Sequence, residues 1–195
     1  MKKKVFKPIP LECVYESMLK RIKGRGASSA YPFFLKEIDK ITYGIPKKRL
    51  TVIGARPSEG KTTLGLQVAM MNACNEKHVV WITREEDKEQ LMERMCCNLF
   101  SINNQELKKG KVEELISKNP NELFRYMDFI LVDDYGFTFQ EVEKIIDSFD
   151  EYPDLIFVDY IQLIQHEKRY NRRDVVEDFM RKCKWTVNSK DTTII

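Results

Sequence analysis

The sequence predicts a doubly wound α/β domain with a mainly parallel sheet, and three observations carry that prediction. Short apolar, β-rich runs alternate with helical patterns along most of the chain. The runs are continuously apolar, as in strands buried on both faces, rather than alternating as in strands with one wet face. The junction between the first run and the helix after it reads VIGARPSEGKTTL over residues 52–64: strand, loop and helix start, in the order a phosphate-binding loop requires.

Taken in order, residues 10–23 place Leu11, Val14, Tyr15, Met18, Leu19 and Ile22 on one helical face, with Pro10 at a suitable start. Such a face packs either on its own domain or on a neighbouring subunit. Residues 24–30, GRGASSA, form a flexible connection, so 1–30 reads as an appended helix with its linker and 31–195 as the main domain. Strands are expected at 50–54, 78–83, 129–133, 155–159 and 192–195. Helices are expected at 61–75, 88–100, 112–127, 138–149 and 173–190. A chain of 195 residues suits one such domain with a short appendage.

Composition narrows the field without naming a function. The net charge of +3 is mild, and only its clustering matters, at Lys2–Lys4, Lys20–Arg25 and His166–Arg173. The five cysteines show no metal-binding spacing and the two histidines stand apart, so reduced, buried thiols are expected. The basic N-terminus is not followed by an apolar stretch, and the longest apolar run, 155–164, carries an Asp and is too short to span a bilayer. The expectation is a cytoplasmic protein with no membrane partner.

The loop Ala55-Arg56-Pro57-Ser58-Glu59-Gly60-Lys61-Thr62-Thr63 carries the chemistry. Its backbone N–H groups, with the positive end of the following helix, form a concavity for a polyphosphate such as ATP. Gly60 leaves room for close backbone approach. Lys61 supplies charge to the β and γ oxygens, Thr62 a hydroxyl for Mg²⁺, and Thr63 a contact to the α-phosphate. One departure from the usual pattern is Ala55 where the first glycine is expected, with Gly54 one residue early. A second metal-side group should end a nearby strand. Asp159 closes LIFVD and Asp133 closes FILVD in the same way. Asp159 is favoured, although Asp at a strand end is also a common turn or cap residue. The strand 78–83 is expected to end beside the loop strand, delivering Glu85 and Glu86 to orient the attacking water. Spacing does not choose between them. HEKRYNRR at 166–173 offers cations for a nucleic-acid backbone.

Together these residues resemble the RecA-like motor domain of DnaB-type replicative helicases. ARPSEGKT at 55–62 resembles that family's phosphate loop, which itself begins with Ala. Glu85, six residues before Leu91 of Glu89-Gln90-Leu91, matches the family's catalytic glutamate. VDYIQLI at 158–164 resembles its Walker B segment, with Asp159 on the metal and Gln162 just after it, and Asp133-Asp134 resembles an acidic pair before its next helix. NRRDVVEDFMRKCK at 171–184 is similar to the helix following a DNA-contacting loop, which places Lys168, Arg169 and Arg172 near DNA. Arg84, Asp87 and Trp185 depart from the family pattern. The resemblance implies a hexameric 5′–3′ helicase that uses ATP and Mg²⁺ on single-stranded DNA, with primase or a helicase loader as possible partners. The helix at 10–23 corresponds to the family's linker helix. The γ-phosphate-sensing glutamine, arginine finger, second DNA loop and primase-interacting domain are expected to lie outside this chain.

Overall fold

The computed structural model describes residues 10–23, 30–83, 86–110, 113, 117, 119, 122, 124–125, 127–133, 139–159 and 172–195. The elements are α1 (Leu11–Lys23), β1 (Ala30–Tyr31), α2 (Lys36–Thr42), β2 (Ile45–Pro46), α3 (Lys61–Ala73), β3 (Val79–Thr83) and α4 (Lys88–Phe100). Then come α5 (Asn104–Lys108), β4 (Phe129–Asp133), α6 (Phe139–Asp147), β5 (Leu155–Asp159), α7 (Arg172–Ser189) and β6 (Thr193–Ile194).

The main sheet is parallel, in the order β4-β3-β5-β6. Its centre is covered on both sides, as the apolar runs predict. Val79, Trp81, Leu155 and Phe157 pack under α3 and α4. The alternate residues Val80, Ile82 and Ile156 face α6 and α7, which contribute Val142, Ile146, Phe179, Cys183 and Val187. Period-two alternation thus divides one apolar strand between two cores.

Three expectations change. Residues 50–54 form no regular strand: Leu50 bridges Ile194, and Thr51 N–H donates to the Ile194 carbonyl at 2.9 Å. Beyond this bridge Val52 is 60% exposed. Second, β3 does not end beside the loop strand, since β5 and β6 lie between them. Third, not all thiols are buried. Cys96 and Cys183 are, with desolvation pushing the Cys183 thiol up to about 12, but Cys13 and Cys74 are exposed. Most of the helix expected at 112–127, and residues 24–29 of the linker, lie outside the described residues.

The β1–β2 hairpin and the short helices α2 and α5 were not expected. The hairpin is fixed to the sheet's amino edge by Asp154, which accepts from the Tyr31 hydroxyl at 2.7 Å and from the His78 backbone N–H at 3.1 Å. Burial, then the Asp154 hydrogen bond, raises the Tyr31 pKa and keeps its phenol protonated. At the start of α4, Asp87 accepts from Gln90 N–H at 2.8 Å, the cap its Asp-x-x-Gln spacing suits.

Seating α3 on the sheet requires a small residue. A Cβ on Gly65 would lie 3.2 Å from the Trp81 ring, which is itself stacked on Phe157 at 5.3 Å. Gly65→Val should therefore cost roughly 1–3 kcal/mol by overpacking. The melting temperature should fall by about 2–4 °C per kcal/mol. Unchanged melting would mean that α3 does not rest on Trp81.

Candidate nucleotide-binding site

The loop from 55 to 60 is exposed and turns into α3 through two left-handed residues, Ser58 (φ 65°) and Gly60 (φ 86°). No atom lies within 4 Å of a Cβ added to Gly60, so glycine is required there by backbone conformation rather than by crowding. Ala55 has no positive φ, so the first loop position takes a backbone that alanine adopts without strain. The loop also braces itself. Arg56 N–H donates to Glu59 Oε2 at 3.2 Å, and Glu59 N–H donates back to the Arg56 carbonyl at 3.2 Å.

Gly60, which has no side chain to offer, stands at the N-cap of α3, and the helix ladder begins at Leu64 N–H to the Gly60 carbonyl, 2.9 Å. Helix geometry gives the first-turn amides no intrahelical acceptor, and the macrodipole adds positive potential. Thr62 and Thr63 lie in this turn, with Thr63 exposed.

Lys61 begins α3, and its Nζ lies 2.8 Å from Asp159 Oδ1. Asp159 ends β5 with its side chain 8% exposed, against 26% for Lys61. A carboxylate so enclosed is costly unless paired, and Lys61 supplies the pairing. The structure therefore brings Asp159 to the loop lysine. Asp133 ends β4, on the far side of β3, and its side chain lies outside the described residues, as does Asp134. Thr83, Asp133 and Asp159 are in register, so the three strands finish at one edge. This is the edge at which ligands bind in open α/β sheets.

The donor set suits a magnesium nucleotide. Among the described residues no three His, Cys, Asp or Glu side chains converge as a metal cage. Magnesium does not need one, since it is commonly held by one or two carboxylates, phosphate oxygens and water. Asp159 would supply the carboxylate at this edge, and Thr62, in the first turn of α3, a hydroxyl.

Glu85 and Arg84 lie outside the described residues, but both ends of that short connection are fixed. The Thr83 hydroxyl donates to the Glu86 carbonyl at 3.3 Å and accepts from the Glu86 N–H at 3.5 Å. Glu86 pairs with Arg94 of α4. Sequence reasoning missed Arg94, because its partner lies eight residues earlier, outside α4, and the pair obeys no helical spacing. Gln162, Lys168 and Arg169 also lie outside the described residues; Arg172 opens α7, and its side chain is not among them.

The parallel sheet and glycine-loop helix make this a RecA-like P-loop domain. The family model for the DnaB-like helicase C-terminal domain matches residues 32–195, and the chain belongs to that family. It is 28% identical over 193 residues to a probable plasmid replicative DNA helicase of Chlamydia trachomatis, covering 91% of this chain and 43% of that protein. It is 29% identical over 181 residues to replicative DNA helicase DnaC of Bacillus subtilis, covering 87% and 39%. The chain thus spans less than half the length of these curated relatives. Among solved structures, one ATPase domain superposes with a TM-score of 0.79 at 21% identity, covering 97% of this chain and 70% of that one. A DnaB-like replicative helicase studied with primase superposes at 0.80 and 20% identity, covering 99% and 48%.

The unequal burial of the Lys61–Asp159 pair gives an asymmetric prediction. Lys61→Met strands an enclosed carboxylate and should cost about 1–3 kcal/mol, somewhat less than for a fully buried pair. Asp159→Asn leaves a lysine that can swing to water and should cost under about 1 kcal/mol. Urea denaturation midpoints compare the two directly, and equal losses would contradict this geometry.

Proposed function

We propose that this chain is the ATP-dependent motor domain of a replicative DNA helicase, coupling hydrolysis to 5′–3′ translocation on single-stranded DNA. The observation that carries the reading is the 2.8 Å Lys61–Asp159 pair at the mouth of the phosphate loop, inside a segment matched by the helicase family. In this reading residues 1–30 are a linker helix and connection, and 31–195 the ATPase domain. Residues Ala55 to Thr63 cradle the phosphates of ATP. Lys61 leaves Asp159 for the β and γ oxygens, and Thr63 touches the α-phosphate. Thr62 and Asp159 hold Mg²⁺, whose charge offsets that of the phosphates. Glu85 orients the attacking water. Glu86 is the weaker candidate because Arg94 already engages its carboxylate.

Lys168, Arg169 and Arg172 contact the DNA backbone, which gives affinity without base preference. The α1 face supports assembly with further copies, as a homo-hexamer. Leu11 is 84% exposed and Tyr15 59%, with Val14, Met18 and Ile22 beside them, a row of apolar side chains that water alone does not favour. Primase or a helicase loader is a fitting partner, given the primase-associated helicase among the similar structures. A cytoplasmic location agrees with the described helices, none of which is long and apolar enough to cross a membrane.

Two outcomes test this. Glu85→Gln should keep ATP affinity and lower DNA-stimulated hydrolysis by about 10² to 10⁴. If Glu86→Gln shows that loss and Glu85→Gln does not, the water-orienting role belongs to Glu86. Replacing Arg169 and Arg172 together with Ala should weaken single-stranded DNA binding and flatten its logarithmic salt dependence by roughly 0.7 per lost phosphate contact. An unchanged slope would remove these residues from the DNA path.

A further inference from the structure

Neither the nucleotide site nor the packing of the sheet uses the outer face of α7. Phe179, Cys183, Thr186 and Val187 turn inward and are buried. Trp185 turns outward and is 61% exposed, the one large apolar side chain of α7 among the described residues to stand so far in water. Its surroundings on the helix are cationic. Arg181 lies one turn before it on the same face, Lys182 and Lys184 flank it, and Asn188 follows one turn later. Within one turn of Trp185 the only charges on α7 are therefore positive. One turn further back, Asp178 pairs with both Arg181 and Lys182, at 2.8 Å for the lysine, and so sets where their charged heads lie. The backbone beneath the indole is braced as well. The Ser189 hydroxyl donates to the Trp185 carbonyl at 3.0 Å, and Lys190 N–H donates to the Thr186 carbonyl at 2.8 Å.

These neighbours decide what the indole fits. A protein-docking face surrounds its hot spot with further contacts that shut out water. Trp185 lacks an exposed apolar neighbour on α7 from which to build one. A lone aromatic face among cations instead matches single-stranded nucleic acid, in which a base stacks on the ring while Arg and Lys meet the phosphates. In a duplex the base faces are already stacked on each other, so a single strand is the better partner. The position is separate from segment 166–173. The end of α7 leads into the amino end of β6, at the sheet edge opposite the phosphate loop. Thirteen residues (185 − 172) part Trp185 from Arg172, about 20 Å of helix.

We infer that Trp185, with Arg181 and Lys184, is a second contact for single-stranded nucleic acid, taking one stacked base and the phosphates beside it. The chain has two tryptophans, and Trp81 is 2% exposed, so quenching of the emission by a ligand reports on Trp185. The experiment is run with Arg169 and Arg172 already replaced by Ala, which keeps its outcome apart from that of the loop reading. An oligothymidylate of about eight nucleotides, within the span of one single-strand site, should quench the emission saturably. Anisotropy of the labelled oligonucleotide then follows affinity in variants. Trp185→Ala should weaken binding roughly 5- to 100-fold, the range for one lost base stack. Trp185→Tyr keeps a ring and should recover most of that loss. Arg181→Ala with Lys184→Ala should flatten the logarithmic salt dependence by roughly 0.7 per lost phosphate contact. Absence of quenching in this background, or equal affinity with and without Trp185, overturns the inference. Stronger quenching by an oligoglutamate than by the oligothymidylate overturns it too, and would make the patch a docking face for an acidic protein segment.

Discussion

The contact on which the site depends is the ion pair between Lys61 and Asp159. It joins the first residue of α3 to the last residue of β5, across the position of β6, and so ties the glycine loop to the carboxyl edge of the sheet. Its partners are unequally placed. Asp159 is held in the protein, whereas Lys61 keeps a quarter of its side chain in water and has a long stem on which to move. A pair of this kind is weak evidence for stability, because desolvation offsets much of the attraction. It is better evidence for function, since two opposite charges are kept at a concave edge where a polyphosphate and its metal supply the complementary charges.

That pair can form only because α3 lies close to the sheet. Gly65 brings the helix onto Trp81, and Trp81 is held by stacking on Phe157 of β5, the strand that ends in Asp159. One packing column therefore sets the helix height, and the same strand delivers the carboxylate. The opposite face, built from α6 and α7, backs β5 and β3 and prevents the column from yielding in that direction. Thr83, buried at the end of β3, then fixes the turn into α4 through both backbone groups of Glu86.

Much of this was legible in the sequence, for identifiable reasons. LIFVD and HVVWIT are apolar without interruption because both of their faces are covered, and that pattern survives in the sequence without knowledge of neighbours. The loop motif is local, so its placement at a strand-to-helix junction could be read directly. Strand order could not be read. The separation of 78–83 from Leu50 by two intervening strands depends on the crossovers, which leave no mark on either segment. The same limit explains the open choice between Asp133 and Asp159, two equivalent strand ends until order separates them. The hairpin and α2 are too short for periodicity to register, and their anchor, Asp154, is more than a hundred residues from Tyr31. The Glu86–Arg94 pair was equally hidden, because it needs the tertiary turn into α4 before its partners face each other.

The central claim is that Lys61 passes from Asp159 to a nucleotide while Asp159 takes the metal side. A crystal structure of the protein with Mg²⁺ and a non-hydrolysable ATP analogue tests it most directly. The account predicts Lys61 Nζ on the β and γ oxygens, the loop amides around the phosphates, and Asp159 turned toward the magnesium. A nucleotide bound elsewhere, with the Lys61–Asp159 pair still intact, would contradict it.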